Sequence, residues 1–583
     1  MTPDQPDGLA RLFLASARRT PDRAAIRDAD GCWTYAEVAR AASALAGRIA
    51  AAGVAPGDRV GVMAARRAGG PVAILAVLWS GAAYVPVDPE WPAERRAAVL
   101  RDARVRLLLA VDTARETPDE VPRLDLTTTA VLTPADPGDA APAAPRPRPE
   151  PGAAYVMFTS GSTGTPKGVE VRSASAAGLV TSVASLIGMG EDSVFVAMSS
   201  FAFDISVFDM FAPWTAGGEL VVVTDVQILA NQVGPLLDAP GRQVFTQTTP
   251  TVLAHLLDAG LQVPSSTVLL LAGERLRRSL VARVTHLRQV WNLYGPTETT
   301  IYATAHACLP LDPDDPEPDL PIGTAVNDAE LEIRPLSGTR PDAGELVVGE
   351  LVVGGPGVAL GYFGRPDLTA ERFPDGGTRY ATGDLVRCRA DGLLVHAGRL
   401  DRQVKIRGNR VELDEVETAL ADLVGHGRVA VRVDTHRVLG PHLAAYVGDS
   451  PCDAPALRRG LSGRLPAYMV PTRIHQVPEI PTTSSGKTDH RALRAPDDDG
   501  TGEEDAVLDT VAKLWEQHLG APAAPDANFY AAGGGPAAAR RIAEGLRQTH
   551  ATGVDAALVL RHPVLADLAA AVTARVREPR PRG

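Results

Sequence analysis

The first 400 residues alternate apolar runs with segments of helical periodicity. Runs such as 60–63 and 72–78 stand near amphipathic stretches such as 36–51. This alternation is typical of layered α/β proteins, whose helices cover a mainly parallel sheet. Further candidates for buried strands are the short segments 154–158, 193–198, 219–223, 268–271 and 290–293. The pattern predicts a large α/β domain over residues 1–400, with a surface excursion at 113–152, which is rich in Pro, Asp and Ala.

The spacing of apolar residues tightens after residue 400. A helical pattern at 413–423 and an apolar strand at 428–433 predict a small α+β subdomain over 401–496. Residues 497–505 are acidic and lack apolar anchors, which is typical of a linker. Apolar residues then recur at helical spacing from Val507 to Trp515, and three helices fit before residue 577. Residues 506–577 are therefore predicted to form a small all-α bundle.

Composition and charge exclude several classes of function. Lys and Arg total 58 against 70 Asp and Glu, a net charge of −12. No global basic field attracts the chain to nucleic acid or to anionic lipid. The four cysteines are far apart and lack the spacing of zinc ligands or of a disulfide framework. With no leader and no run of 18 apolar residues, we expect a cytoplasmic protein that binds neither nucleic acid nor membrane.

The segment FTSGSTGTPKG, residues 158–168, directly follows an apolar strand. It combines three glycines and five hydroxyl side chains with Lys167, so it offers many donors and one compact positive charge. These are the groups that bind polyphosphate. The segment departs from the Walker A pattern, because Pro166 precedes the lysine and Gly168 follows it. Taken alone, it is equally consistent with a flexible turn.

Two further turns carry candidate chemistry. In NLYGPTE, residues 292–298, an aromatic ring can stack on a base, while Thr297 and Glu298 offer a phosphate donor and a magnesium ligand. In YATGDL, residues 380–385, an Asp on a Gly turn can accept two ribose hydroxyls. The alternative interpretation of each segment is an ordinary turn whose polar side chains make hydrogen bonds within the protein.

The order of these segments matches one family over most of the chain. The sequence resembles the amino-acid adenylation domains of nonribosomal peptide synthetases, in the superfamily that includes acyl-CoA ligases and luciferases. The matching segments are WTYAEVA (33–39), GAAYVPVDPEWP (81–92), FTSGSTGTPKG, FAFDISVFDMF (201–211), NLYGPTE, GELVVGGPGVALGYFGRPDLTAERF (349–373), YATGDL, GRLDRQVKIRGNRVELDEVE (398–417), LPAYMVP (465–471) and SSGKTDHRAL (484–493). Only four lysines occur, and three of them fall inside these motifs.

The resemblance implies ATP and Mg²⁺ as cofactors and assigns roles to the matching residues. The ATP-binding residues would be Thr159, Ser160, Gly161, Ser162, Thr163, Gly164, Lys167, Gly273, Asn292, Tyr294, Gly295, Asp384 and Arg399. Glu298 would hold Mg²⁺, and Asp401 would be the hinge about which the small subdomain rotates. The catalytic residues would be Thr297 at the α-phosphate, Lys405, and Lys487 between the substrate carboxylate and the phosphoryl group.

The resemblance also indicates the substrate. Asp204 occupies the position at which amino-acid-activating members bind the α-ammonium group; a structural Asp at a helix start is the alternative. The other pocket residues would be Ile205, Phe208, Gln247, Leu270, Ala272, Leu293, Ile301 and Tyr302. Most are bulky and apolar, which leaves little volume and no second charge. A small amino acid is expected, with glycine or alanine favoured.

We expect activation of this amino acid to aminoacyl-AMP, with release of pyrophosphate and then transfer to the thiol of a separate carrier protein or to an amine. Catalysis requires the protein to position the carboxylate and ATP and to neutralise the phosphoryl charge, so no protein nucleophile is needed. A CoA or amide ligase for another small carboxylate stays open, as does a non-catalytic scaffold with a vestigial nucleotide site. The sequence leaves open whether a small MbtH-like activator is required.

Residues 506–577 resemble a peptidyl carrier domain that lacks its attachment serine. Pro536 stands at the matching position, Ala537 follows it, and no Ser occurs after residue 485. We therefore expect no phosphopantetheine on this chain. A degenerate bundle kept for docking or stability, a deliberate substitution, and a synthetase that never loads itself are the interpretations left open.

Overall fold

The structure of this chain is a computed structural model. It describes residues 8–117, 120–133, 143–147, 152–161, 165–223, 241–258, 260, 262–315, 317–335, 348–389, 391–406, 408–425, 428–436, 440–448, 452–482, 488–490, 492–493, 503–520, 523, 529, 532, 534–550, 553–562 and 565–577. The chain folds as two compact units. The first comprises Met1–Thr159, Pro166–Leu257 and Leu261–Asp401, and the second Ser160–Thr165, Asp258–Gly260 and Arg402–Gly583.

The chain up to residue 401 is built on three sheets with covering helices. Its strands are β1 (Ala24–Arg27), β2 (Cys32–Thr34), β3 (Arg59–Ala64), β4 (Ala83–Val87), β5 (Leu107–Val111), β6 (Arg123–Leu126), β7 (Ala153–Thr159), β8 (Lys167–Arg172), β9 (Ser193–Ala197), β10 (Glu219–Val222), β11 (Gln243–Thr248), β12 (Thr267–Ala272), β13 (Gln289–Tyr294), β14 (Thr304–Ala307), β15 (Thr324–Ala325), β16 (Glu330–Pro335), β17 (Val348–Gly354), β18 (Gly361–Tyr362), β19 (Arg379–Cys388) and β20 (Leu394–Arg399). Its helices are α1 (Leu9–Arg19), α2 (Tyr35–Ala51), α3 (Gly69–Trp79), α4 (Ala93–Asp102), α5 (Thr128–Leu132), α6 (Ser173–Leu186), α7 (Ile205–Ala216), α8 (Pro250–Asp258), α9 (Arg278–Val281), α10 (Pro366–Arg372) and α11 (Pro374–Gly377).

The strand order places several motifs at one edge of a sheet. The nine-stranded sheet runs β15-β14-β13-β12-β11-β9-β10-β1-β2, the seven-stranded sheet β18-β8-β7-β4-β3-β5-β6, and the antiparallel four-stranded sheet β16-β17-β19-β20. In the first of these, β9 to β13 pair in parallel. Parallel strands bring their carboxyl ends to a common edge, where α/β proteins bind ligands. Gly273 and Gly295, which follow β12 and β13, lie at that edge.

Local sequence explains how individual helices form. Thr34 caps α2 by accepting from the amide of Glu37, whose carboxylate accepts in turn from the Thr34 amide at 2.7 Å. This reciprocal pair satisfies two amides that a helix start leaves free. The apolar run 72–78 lies in α3, every residue of which is buried. A helix that is buried on all sides carries no polar face, so its periodicity cannot distinguish it from a buried strand.

The largest apolar core of the first unit joins residues of the two large sheets to the helices between them. Helices α1, α2, α3, α6 and α7 all contribute to it. Phe13 of α1 packs edge-on against Trp214 of α7, with 5.0 Å between ring centroids. Because α7 is buried in this core, the residues at its start are held in fixed positions.

The second unit contains a small α+β subdomain and a helical bundle. The subdomain has strands β21 (Gln403–Ile406), β22 (Asn409–Glu412), β23 (Arg428–His436), β24 (Gly440–Gly448) and β25 (Arg473–Val477), with helices α12 (Leu413–Val424) and α13 (Ala454–Ser462). The bundle consists of α14 (Glu503–Leu519), α15 (Pro536–His550), α16 (Ala556–Arg561) and α17 (Leu565–Arg577). The bundle core includes Trp515 and Phe529, both fully buried.

These elements confirm the predicted fold class. A large α/β region is followed by a small α+β region and then by an all-α region. The bundle has four helical segments among its described residues, where three were predicted, because the six residues of α16 are too few to show a helical period. No helix in the described part of the chain is long and apolar enough to cross a membrane.

Candidate functional site

Asp384 is the centre of a buried polar cluster. It lies on β19 opposite Arg399 of β20, and the Arg399 guanidinium donates to its carboxylate at 2.6 Å. The hydroxyl of Tyr294, at the end of β13, donates to the other carboxylate oxygen at 2.6 Å. Asp384 itself is 4% exposed.

The electrostatics of this cluster keep Tyr294 protonated. Burial, followed by the Asp384 charge, raises the pKa of Tyr294 well above its ordinary value. The phenol therefore remains a donor to Asp384. Sequence reasoning missed His396 of β20, whose Nε2 lies 3.2 Å from Asp384. A lone His two residues before the GRLD segment gives no motif signal, and only the pairing of β19 with β20 brings it to Asp384.

A second cluster forms around Lys167 and Glu298. Lys167 begins β8, and its Nζ lies 3.7 Å from a carboxylate oxygen of Glu298. Tyr362 connects the two, since its hydroxyl accepts from Lys167 at 3.2 Å and donates to Glu298 at 2.8 Å. Lys167 is 4% exposed and Glu298 fully buried. Tyr362 was not predicted as a site residue, although it lies inside the matching segment 349–373.

The donor set fits Mg²⁺. Glu298 supplies a carboxylate, the hard oxygen ligand that Mg²⁺ prefers. Among the described residues, no group of three or more His, Cys, Asp or Glu side chains could hold a metal. An Mg²⁺ ion held by Glu298 would therefore complete its coordination with phosphate oxygens and water, as is usual for this ion.

The turn after β13 is tightly constrained. Gly295 is required there, because a Cβ would lie 2.5 Å from the carbonyl oxygen of Ile301. Thr300 and Ile301 have φ values of 59° and 66°. A β-branched residue such as Ile301 rarely adopts this left-handed region, and strained backbone of this kind clusters at functional sites. Thr297 lies half-buried in the same turn, next to Glu298, and Asn292 anchors β13 by donating to the Pro321 carbonyl at 2.7 Å.

Asp204 immediately precedes α7 but does not cap it. Its side chain makes no capping hydrogen bond to the helix, and the residue is half-buried. A structural Asp at a helix start would use its carboxylate on the first amides. The structure therefore does not support the capping interpretation of Asp204.

The predicted pocket residues come together from several elements. Gln247 of β11 pairs in register with Leu270 of β12, and Ala272 pairs with Leu293 of β13. The hydroxyl of Tyr302 donates to the side-chain oxygen of Gln247 at 2.6 Å. The Tyr302 ring lies edge-on to Phe208, with 5.5 Å between centroids. Residues of this set that are fully or nearly buried are Phe208, Gln247, Leu270, Ala272, Leu293, Ile301 and Tyr302.

Asp209 lies one residue beyond Phe208 on α7 and is 1% exposed. Burial raises its pKa from 3.8 to about 7, although the hydroxyl and amide of Ser199 oppose the rise. Burial, and then the charges of Asp209 and Asp204, raise the pKa of Tyr302. A carboxyl group whose pKa is raised to about 7 therefore lies next to Phe208 of the predicted pocket. No sequence motif indicates this.

The remaining predicted site residues lie elsewhere or outside the described chain. Thr159 ends β7 in the first unit, whereas Ser160 and Gly161 belong to the second. Lys405 lies in β21 with an exposed side chain. In the first unit, Asp401 accepts from the Arg399 guanidinium at 2.6 and 2.8 Å. The predicted residues that lie outside the described chain are Ser162, Thr163, Gly164 and Lys487.

Comparison with protein families gives two matches. Residues 13–363 match the AMP-binding enzyme family, and residues 509–572 match the Phosphopantetheine attachment site family. The AMB antimetabolite synthetase AmbB of Pseudomonas aeruginosa is 39% identical over 561 residues, covering 93% of this chain and 43% of that protein. Phosphinothricin tripeptide synthetase PhsB of Streptomyces viridochromogenes is 38% identical over 614 residues, covering 97% and 49%. The chain thus spans less than half the length of either relative.

Solved structures agree with these matches. Holo-AB3403, a four-domain nonribosomal peptide synthetase bound to AMP and glycine, is similar with a TM-score of 0.59 and 30% identity, over 98% of this chain and 43% of that chain. Holo-PA1221, a nonribosomal peptide synthetase protein with adenylation and PCP domains, is similar with a TM-score of 0.71 and 26% identity, over 97% of each chain. The similarity therefore extends through the terminal bundle.

The prediction that this chain carries no phosphopantetheine, on a degenerate bundle, is wrong. The match of residues 509–572 to the Phosphopantetheine attachment site family overturns it. The bundle is a carrier domain, of the class that carries this group. A missing serine does not make the bundle degenerate, because its fold and its apolar core are specified by many other positions, such as Trp515 and Phe529.

Proposed function

Because the chain belongs to the AMP-binding enzyme family, whose members form adenylates, we propose that it activates a small amino acid as aminoacyl-AMP and releases pyrophosphate. One observation carries the choice of substrate. Asp204 stands at the start of α7 with its carboxylate unused in capping, and two predicted pocket residues, Tyr302 and Gln247, are buried and hydrogen-bonded to each other. A carboxylate suits an α-ammonium group, and a pocket lined by buried bulky side chains suits a small substrate side chain.

The reaction is an in-line displacement at the α-phosphorus of ATP. A carboxylate oxygen of the amino acid bonds to this phosphorus while the bond to the pyrophosphate oxygen breaks, and the leaving group takes the electron pair. Asp384 and Tyr294 hold the nucleoside end, and Lys167 and Thr297 face the phosphates. Bound Mg²⁺ would neutralise phosphate charge, and Glu298 is the residue that holds it. Lys487 supplies the further positive charge that the resemblance assigns to it.

The same reasoning leads to a carrier thiol as the acceptor. The aminoacyl group would leave AMP when a thiolate attacks its carbonyl carbon, so that a thioester forms and AMP departs with the bonding electrons. The carrier domain at 509–572 makes a thiol of this kind part of the same chain, while a separate carrier or a free amine is the alternative acceptor. AB3403 is a four-domain synthetase bound to AMP and glycine, which supports a small substrate here.

The side-chain nitrogen of Gln247 indicates a second candidate substrate. The side-chain amide nitrogen of Gln247 is buried and makes no hydrogen bond within the described part of the chain. A buried donor without an acceptor costs about 1–3 kcal/mol, so an acceptor on the substrate would be favoured. Serine is small and carries such an oxygen. It is therefore the candidate after glycine and alanine.

ATP–pyrophosphate exchange with a panel of amino acids tests the proposal. Glycine or alanine should support the fastest exchange, and serine should exceed them if the Gln247 amide binds substrate. Leucine, phenylalanine and lysine should be poor substrates. Asp204→Asn should raise the KM for the amino acid by roughly 10- to 100-fold, the value of a charged hydrogen bond, with little change in the KM for ATP. The exposed residue Asp367 provides the control, Asp367→Asn.

Two results would contradict the proposal. A charged or large aromatic amino acid as the best substrate would show that the pocket is not small. Exchange that depends on no amino acid in the panel, while another small carboxylate supports it, would identify a CoA or amide ligase.

A further inference from the structure

The longest stretch of the second unit, Arg402–Gly583, begins with an arginine that joins three segments of the small subdomain. Arg402 follows Asp401 directly, and the first unit ends at Asp401. One guanidinium nitrogen donates to Asp414 at 2.6 Å and to Glu417 at 2.9 Å, and the other donates to Glu417 at 2.7 Å. Both acidic residues lie on α12. This two-pronged contact with one carboxylate requires the planar geometry of arginine.

The same guanidinium reaches two further segments. It donates to the carbonyl of Val431 on β23 at 2.7 Å, and it lies 3.3 Å from Nδ1 of His490. A guanidinium has no acceptor, so Nδ1 must accept and the neutral imidazole must carry its proton on Nε2. Glu417 strengthens the cluster by accepting from the Val431 amide at 2.7 Å.

The charge balance of this cluster favours neutral His490. Burial, and then the positive charge of Arg402, lower the pKa of His490, while Glu417, Asp414 and Asp489 oppose that change. The imidazole therefore remains an acceptor at neutral pH. Arg402, in turn, has its pKa raised by hydrogen bonds and charges from Glu417 and Asp414, which outweigh its burial.

The position of His490 in the sequence gives this cluster its functional meaning. Lys487 precedes His490 by three residues. Lys487 lies outside the described residues, and its connection to His490 is the chain itself, three residues of which span at most roughly 11 Å. Arg402 is the first residue after the proposed hinge, and its contact with His490 connects it to the segment that contains the proposed catalytic lysine.

We propose that Arg402 is a positioning residue for adenylation: it fixes α12 and the segment at His490 to the start of the small subdomain, and it acts on the reaction through Lys487, which precedes His490 by three residues. This inference rests on the proposed function, because it takes the role of Lys487 from there. Its chemical basis is a side chain that binds one carboxylate with two bonds and also contacts Asp414, the Val431 carbonyl and His490.

A double-mutant cycle tests this inference on the full-length chain. Arg402→Gln removes the charge and the paired geometry, and it should lower the kcat of ATP–pyrophosphate exchange about tenfold or more, with the KM values for ATP and amino acid within about twofold of wild type. The same substitution in a Lys487→Ala background should cost less than twofold, because its effect acts through Lys487. Arg402→Lys should lower kcat nearly as much as Arg402→Gln does, because lysine cannot make the paired contact with Glu417.

The controls separate positioning from folding. Arg464 forms an exposed pair with Asp422 at 3.6 Å on the same subdomain, so Arg464→Gln should leave exchange unchanged. If Arg402→Gln fails to fold, His490→Ala serves instead, because it removes one contact of the cluster. His490→Ala should lower kcat when Lys487 is present and should have little effect in the Lys487→Ala background.

The outcomes distinguish the two proposals. An equal loss from Arg402→Gln with and without Lys487, or no loss at all, would overturn the positioning role. Unchanged exchange in Lys487→Ala alone would instead refute the catalytic role assigned to Lys487 under the proposed function.

Discussion

Replacement of Asp209 by Asn should make the first unit more stable, by an amount that depends on pH. The Asp209 carboxyl is fully buried, and its pKa rises from 3.8 to about 7 in the folded chain. In the unfolded chain this carboxyl loses its proton near pH 4, whereas in the folded chain it keeps the proton until about pH 7. The folded state thus binds one more proton between these values, and the free energy of unfolding of the wild type falls as pH rises.

The expected magnitude follows from this difference in pKa. At ~1.4 kcal/mol for each pH unit, the wild type loses about 4 kcal/mol between pH 4 and pH 7 from this group. Above pH 7 the contribution is constant, because the carboxyl is then ionised in both states. Asn has nearly the same shape and does not titrate. The stability of Asp209→Asn relative to wild type should therefore increase from pH 5 to pH 7 by about 3 kcal/mol and then level off.

Denaturant unfolding followed by tryptophan fluorescence can measure this difference. Five of the six tryptophans lie before residue 401, and Trp79 and Trp214 are fully buried there, so the signal reports mainly the first unit. Asp22→Asn, the same substitution at an exposed site, is the matched control. A stability difference between Asp209→Asn and wild type that is the same at pH 5 and pH 8 would refute the reasoning, because it would show an ionised Asp209 in the folded chain.

Two further predictions concern the nucleotide site and the hinge. Glu298→Gln should raise the Mg²⁺ concentration for half-maximal exchange about tenfold or more, since a carboxylate binds this ion better than an amide does. Titration with Mg²⁺ checks this, and an unchanged requirement, as expected for Glu371→Gln on the surface, would contradict it. Asp401→Pro should spare adenylation or thioester formation but not both, because proline fixes φ at one value. Separate assays of the two half-reactions test this, and equal retention of both would count against rotation at this residue.

The sequence alone indicates candidate sites where the residues that would carry the chemistry are close together in the chain. The segment at 158–168, the turn at 292–298 and the YATGDL turn at 380–385 each place their polar residues within a few positions of one another. A turn of this kind is recognisable without tertiary structure, because its glycines and hydroxyls form a local pattern. The α/β class was equally accessible, since the alternation of buried strands and amphipathic helices is a periodic signal.

Other features were decided only by the tertiary structure, because they join residues that are distant in the sequence. Tyr362 reaches Glu298 and Lys167 through β18 pairing beside β8, and His396 reaches Asp384 through the pairing of β20 with β19. Asp209 is perturbed because α7 is packed inside the core. A pKa depends on the three-dimensional surroundings of a group, and a hydrogen bond on the distance between two atoms. Neither quantity is encoded in local composition. Only the packed sheets and helices create it.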